Sequence, residues 1–340
     1  MTWWTEHAAR RPRLLARNRI KAAIRARFER EGFTEVECGA LVTSPGNEAH
    51  LHAFQTELKT TAGEGRPVYL HTSPEFACKK LLAGGEEKIF EFARVFRNRE
   101  RGALHVPEFT MLEWYRTNAV HDSVVSDTLE ILRLAADTAK AKEFRFRDRL
   151  CDPRAEAERL TVAQAFERFA EIDLLATLDA RGEGDRDALA RAAQAKGESV
   201  AIDDNWANIF SKLLVGRIEP ELGIGVPTIL CEYPRCEAAL ARAAAHDPRL
   251  AERFEVYVCG VELANGFGEL TDPSEQRRRF LREMDDKERV YGERYPLDED
   301  FLAALAHMPP ASGTALGFDR LVMLATGAPR IEDVLWTPSP

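Results

Sequence analysis

Residues 96–116 read FRNRERGALHVPEFTMLEWYR, with arginines crowded at one end and an aromatic and acidic alternation at the other. An arginine fork matches a phosphate oxygen bidentately, so Arg97 at the end of a strand asks for an anion. From residue 108, strand alternation puts Phe109, Met111, Glu113 and Tyr115 on one face and Thr110, Leu112 and Trp114 on the other. The first face offers a ring, a carboxylate and a phenol in a row, which suits a cation. The second face reads as core. His105 lies in the connecting loop. Few substrates carry both an anion and a cation. The same spacing also suits a plain strand with ion pairs at its end.

Two further stretches carry chemistry. If Cys259-Gly260 is a two-residue turn, residue 258 pairs with 261 and 257 with 262. Glu255 is then the diagonal neighbour of Glu262, within about 7–8 Å at the backbone. Two such carboxylates can converge on a hard cation such as Mg²⁺, or stand as solvated strand residues. In GTALGFDR, Gly313 and Gly317 let a strand come close to a ligand, and Arg320 opens the following helix.

The elements that must position these residues follow from periodicity and punctuation. Residues 10–31 form a basic amphipathic helix closed by Gly32, expected to be packed or to face a dimer partner. Residues 33–37 read as a strand. Ser73 is the expected N-cap and Pro74 the first residue of a helix ended by Gly84 and Gly85. Residues 89–97 and 108–116 form a long-looped hairpin, and 122–200 is a mainly helical stretch rich in Ala, Arg and Glu. Strands then recur without regular intervening helices, which points to an α+β fold on an antiparallel sheet.

Composition narrows the function classes. The chain has 340 residues, 45% of them hydrophobic, with 56 acids against 47 bases and a net charge of −9. That balance disfavours a broad nucleic-acid-binding surface. No apolar run reaches the length of a membrane span. The N-terminus lacks an apolar leader before a small-residue cleavage site. The six cysteines are scattered with no CxxC pair, so reduced thiols in a cytoplasmic protein are expected.

The segments FR with HVPEFTMLEWY, ELANGFGEL and GTALGFDR, in this order and spacing, resemble motif 2, the segment before motif 3, and motif 3 of class II lysyl-tRNA synthetases. They are still more similar to the stand-alone relatives of those enzymes that modify elongation factor P. The resemblance runs from about residue 15 to 335. It implies a class II synthetase-like antiparallel sheet flanked by helices. It also implies an ATP- and Mg²⁺-dependent ligase that forms an aminoacyl-adenylate, with catalytic roles for Arg97 and Arg320. ATP would be held by Arg97, Asn98, His105, Phe109, Glu262, Leu263, Gly317 and Arg320, and the metal by Glu255 and Glu262. The diamino acid, (R)-β-lysine or lysine, would be recognised by Ser73, Pro74, Glu75, Glu113, Tyr115, Asn265, Glu269 and Ala315. Tyr115 and Glu269 would grip its distal ammonium. Asn265, Phe267 and Glu269 have a strand parity opposite to that of Glu262, so a bulge at Gly266 or Gly268 is expected to bring the two glutamates to one pocket.

The resemblance further implies a homodimer and an elongation factor P acceptor. Read as given, the sequence is expected to form one catalytic domain over residues 1–340, without an N-terminal anticodon-binding barrel. Ala315 stands where lysyl-tRNA synthetases of this type have glycine, and one methyl group there would discriminate by about 1–3 kcal/mol. Gly39 replaces the motif 1 proline, Arg99 stands at the motif 2 glutamate position with Glu100 after it, and Val106 replaces an asparagine. Glu100 is expected to take over the adenine contact after a small loop shift. Two rival readings are a minimal synthetase that charges tRNA and a non-catalytic regulator.

Overall fold

Alternating segments pair into one large sheet whose two faces have different fates. The computed structural model describes residues 3–339. Its helices are α1 (His7–Arg30), α2 (Glu75–Ala83), α3 (His121–Ala139), α4 (Val162–Ala165), α5 (Arg186–Ala195), α6 (Trp206–Leu213), α7 (Pro273–Tyr291), α8 (Glu299–Leu305) and α9 (Phe318–Thr326). The first strands are β1 (Thr34–Glu35), β2 (Leu41–Val42), β3 (Phe54–Lys59), β4 (Gly65–Leu70), β5 (Lys88–Phe96) and β6 (Glu108–Thr117). They are followed by β7 (Phe144–Phe146), β8 (Arg149–Cys151), β9 (Glu158–Thr161), β10 (Thr228–Pro234), β11 (Leu250–Val258), β12 (Val261–Gly268) and β13 (Ala311–Gly317).

The main sheet has eight strands in the order β1-β5-β6-β13-β12-β11-β10-β9. Its interior pairs are all antiparallel, and β1 and β9 join in parallel at the two edges. This is the α+β architecture expected. Alternation along β6 sends Leu112 and Trp114 into the main core, where they meet Ile20, Ile24 and Phe28 of α1, Leu132 of α3 and Val322 of α9. Removing a ring as large as that of Trp114 would cost about 3–5 kcal/mol. The opposite face of β6 is left for the cleft.

The basic helix at the N-terminus is packed. Leu14, Ile20, Ile24 and Phe28 are fully buried, and three of its arginines, Arg10, Arg17 and Arg27, are buried with partners. Arg17 pairs with Asp319 and donates to Thr110 Oγ1 at 2.9 Å, and Arg27 donates to Asp127 at 2.9 Å. A charge removed from water needs such a partner, so these pairs fix α1 against α9 and α3.

Three local expectations change. The strand of 33–37 shrinks to Thr34–Glu35, because only those residues find register on β5. Helix α2 begins at Glu75 and not at Pro74; the Ser73 hydroxyl still accepts the Glu75 amide, at 3.0 Å. The 122–200 stretch is helical in α3 and α5, but the short strands β7, β8 and β9 interrupt it. Residues 162–222 gather a separate core around Phe166, Trp206 and Phe210, packed on Leu230, Tyr233 and Tyr257 of the sheet.

Candidate active site

A cleft of about 320 Å³ opens on the free face of the sheet. Its walls include Arg97, Glu100, His105 and Phe109, then Glu255, Glu262, Leu263, Gly317 and Arg320, then Ser73, Glu75, Glu113, Asn265 and Ala315. Cross-strand register explains the gathering. Glu113 of β6 pairs with Ala315 of β13, Ala315 with Asn265 of β12, and Asn265 with Glu255 of β11. These residues form one row across four strands. At about 4.8 Å per strand step, Glu113 and Glu255 are about 14 Å apart at the backbone.

At the arginine end, Arg97 donates to the Thr72 carbonyl at 3.2 Å and its guanidinium lies 5.4 Å from the centre of the Phe109 ring. Arg320 donates to the Glu262 carbonyl at 2.8 Å and to His105 Nε2 at 2.7 Å. His105 is therefore the acceptor and uncharged. Partial desolvation and the charges of Arg320 and Arg97 hold its pKa down, to about 4. Arg320 Nε also donates to the Leu104 carbonyl at 3.3 Å, and the Glu262 carboxylate stands 3.8 Å from Arg320 Nη1.

The acids beside them are brought together by a turn and a bulge. Cys259 and Gly260 both have positive φ, 57° and 70°, which is the I′ turn anticipated from their spacing. Tyr257 then pairs with Glu262, but Val256 pairs with Ala264, leaving Leu263 unpaired. This bulge, and not one at Gly266 or Gly268, reverses the facing of β12. It sets Glu262 on the same side as Asn265 and Phe267. Gly266 cannot carry a side chain for a different reason: a Cβ there would meet the Phe254 ring at 2.5 Å.

Glu255 accepts from Tyr257 at 2.6 Å, from Arg253 at 2.6 Å and from Asn265 at 3.3 Å. Glu219 joins the group through Tyr257, at 3.3 Å. Burial and the charge of Glu255 push Glu262 up to about 7, and burial with Glu262 and Glu255 pushes Glu219 to about 7. A set of hard oxygens in mutual repulsion fits a divalent cation such as Mg²⁺.

The floor of the cleft is acidic and closed. Glu113 is 1% exposed; it accepts from Ser73 Oγ at 2.6 Å and from Tyr115 Oη at 2.7 Å. Burial first and then Glu75 push its pKa to about 8. Behind it, the fully buried Lys79 is 2.5 Å from Glu75 and 2.6 Å from Glu269. Burial disfavours the Lys79 charge, but the two carboxylates outweigh it and keep the ammonium protonated. Burial pushes Glu269 up to about 7 even so. Its Oε1 finds no hydrogen-bond partner among the described residues. Two carboxylates, Glu75 and Glu269, thus flank one ammonium, and the raised Glu113 carboxyl lies beside Glu75.

Most of the residues expected at a site line this one cleft. Asn98 does not: it is exposed, and its amide donates to the His52 carbonyl at 2.7 Å. Pro74 lies in a small adjoining cavity at the start of α2. Tyr115 and Glu269 stand one layer behind the wall. They meet over Gly313, where a Cβ would come within 2.3 Å of the ring and 2.5 Å of the carboxylate. In the loop after β5, Arg99 takes positive φ, 64°, and turns to Glu293 and Tyr291, while Glu100 faces the cleft. Val106 is buried in the wall.

Sequence reasoning missed Lys79, Glu219, Arg253 and Glu48. The i,i+4 spacing of Glu75 and Lys79 was the available signal for the first. It also missed that Cys38 and Cys78 come within 3.8 Å beside the Glu91 carboxylate, although all six cysteines are free as expected.

The profile of the class II tRNA synthetases (D, K and N) matches residues 3–339. The chain belongs to this family. It is 39% identical over 328 residues to the elongation factor P–(R)-beta-lysine ligase of Pectobacterium carotovorum, covering 95% of this chain and 93% of that protein. To the ligase of the same name from Sodalis glossinidius it is 40% identical, with the same coverage. To that of Proteus mirabilis it is 39% identical over 331 residues, 96% of this chain and 94% of that one. A class II synthetase-like ligase uses ATP, and the antiparallel sheet with its helices is the fold of this class. No described helix is long and apolar enough to cross a membrane.

Proposed function

We propose that the protein activates (R)-β-lysine with ATP and transfers the acyl group to the ε-amine of a lysine on elongation factor P. The relatives are named elongation factor P–(R)-beta-lysine ligases, which supports the pairing of this amino acid with this acceptor. The observation that supports it most is the polarity of one cleft, with arginines at one end and a surplus of buried carboxylates at the other.

ATP lies with its phosphates toward Arg97, His105 and Arg320 and its adenine on Phe109, with backbone contacts from Leu263 and Gly317. Glu255 and Glu262 would hold Mg²⁺, which when bound screens phosphate charge. Arg97 and Arg320 stabilise the charge that develops on the α-phosphoryl group as the substrate carboxylate attacks it and pyrophosphate leaves. The diamino acid lies along the β6, β13 and β12 row. Ser73, Glu75, Glu113 and Asn265 address its near amine, and the Tyr115 and Glu269 layer addresses its distal ammonium. An ammonium there completes a group of carboxylates that burial leaves short of positive charge. The Ala315 methyl, between Glu113 and Asn265 in register, shapes the space around the near amine. Catalysis is positioning and electrostatics, with no covalent nucleophile.

Pro74 holds the chain that presents Ser73, and Asn98 anchors the motif 2 loop. The protein acts as a cytoplasmic homodimer folded as a single catalytic domain. The test is the intact mass of elongation factor P after incubation with the protein, ATP, Mg²⁺ and (R)-β-lysine. A gain of one β-lysyl residue is expected, and an unchanged mass with charging of lysine tRNA instead would replace this reading.

A further inference from the structure

A second, larger cavity of about 840 Å³ adjoins the cleft, bounded by α6, α7 and the loop around Arg181–Arg186. The two share the side chains of Glu48, Arg253, Asn265 and Phe267. Glu48 also lines the small cavity at the start of α2, so it stands where all three spaces meet. Its carboxylate makes no hydrogen bond or ion pair among the described residues. Eight arginines line the larger cavity and seven of them are in ion pairs, Arg235, Arg278 and Arg279 sharing Glu275, Arg282 on Glu183, Arg289 on Asp286, Arg253 on Glu255 and Arg186 on Asp187. Glu237 and Glu283 face the same space. Glu48, Glu237 and Glu283 are in no ion pair among the described residues, so these are the carboxylates an entering ammonium would meet between the paired arginines.

We infer that this second cavity is the entrance for the acceptor lysine, and that Glu48 removes a proton from its ammonium at the junction with the cleft. The inference rests on the two-step reaction proposed above. The Glu48 carboxylate takes one proton from the lysine Nζ and exposes its lone pair. Nζ then bonds to the acyl carbon, and the bond from that carbon to the phosphate oxygen breaks. AMP leaves with the electron pair, and the second Nζ proton passes to the departing phosphate. Charge on Glu48 is set by groups on every side: Arg97 from the β5 end, Arg253 from β11, Glu75 from α2, and Glu283 and Lys287 from α7. Burial, the largest influence, brings its carboxyl to about 7, where a base acts well near neutral pH.

The experiment compares Glu48→Gln and Glu48→Asp with the full-length parent protein. Two rates are measured for each: pyrophosphate exchange with (R)-β-lysine, and single-turnover transfer from preformed adenylate to elongation factor P between pH 6 and 9. In Glu48→Gln the ratio of transfer to exchange is expected to fall by about 10²–10⁴-fold, with the acid limb of the transfer profile near pH 7 lost. Glu48→Asp should recover part of the rate and keep a limb. Ala207→Trp, which narrows the larger cavity, should raise the KM for elongation factor P. An unchanged transfer-to-exchange ratio in Glu48→Gln overturns the inference. So does a parallel loss of exchange with a raised KM for β-lysine, which would make Glu48 part of the diamine pocket. Absence of exchange in the parent protein would instead reject the adenylate reaction itself.

Discussion

The two ends of the cleft differ in how their charges are held. At the arginine end, Arg97 and Arg320 are only half-buried, and their hydrogen bonds run largely to backbone carbonyls. At the acidic end, Glu113 and Glu269 are 1% exposed and Lys79 is sealed behind them. The first arrangement leaves donors free to follow a charge that appears during reaction. The second fixes charge in advance, where desolvation makes any mismatch expensive. The contrast suggests that rate is set at the arginine end and substrate choice at the acidic end.

Substitutions can break this contrast. The largest effect is expected from Glu269→Gln, which removes the carboxylate between Lys79 and the proposed distal ammonium. At about 3–5 kcal/mol for an uncompensated buried charge, β-lysine-dependent exchange should fall by about 10²–10⁴-fold while the far-ultraviolet circular dichroism is kept. Arg97→Ala should lower kcat for exchange by about 10²-fold, with little change in the KM for the diamino acid. The loss of a single methyl in Ala315→Gly should shift the kcat/KM ratio of β-lysine over lysine by about tenfold or more toward lysine.

pH dependence sharpens the same contrast. Glu113 and Glu269 have carboxyls raised to about 8 and about 7 by burial, so the empty pocket carries protons that a diammonium ligand must expel. Affinity for β-lysine should therefore rise with pH between about 6 and 8, by up to about tenfold per unit for each proton released. The sign for stability is opposite. A carboxyl raised on folding holds its proton more tightly when folded, so the ligand-free protein loses stability as pH climbs from about 4.5 towards 8. The thermal shift given by β-lysine should accordingly be larger at pH 8 than at pH 6. The smallest effect, a few-fold rise in the KM for ATP, is expected from Glu100→Ala.

The sequence made one layer of this architecture readable. Period-2 alternation placed Phe109, Met111 and Glu113 on one face and Leu112 and Trp114 on the other, and the Cys259-Gly260 turn fixed the β11–β12 register near the turn. What it hid depends on distance along the chain. The bulge falls on Leu263, not on a glycine, because sheet pairing and not local propensity decides which residue is skipped. Lys79 looked like an ordinary helix pair with Glu75 until Glu269, 190 positions later, closed on it. Glu219 and Glu48 come from irregular segments, where periodicity gives no facing. Arg99 broke the motif; it takes positive φ and pairs with Glu293, while Glu100 lines the cleft.

The central claim is that one cleft presents arginine to a triphosphate and carboxylate to a diamine. Pyrophosphate exchange with a panel of amino acids of matched length, with and without a distal amine, tests it most directly. Exchange is expected only with acids that carry the second amine, β-lysine foremost. Equal exchange with an uncharged analogue of the same length would contradict it.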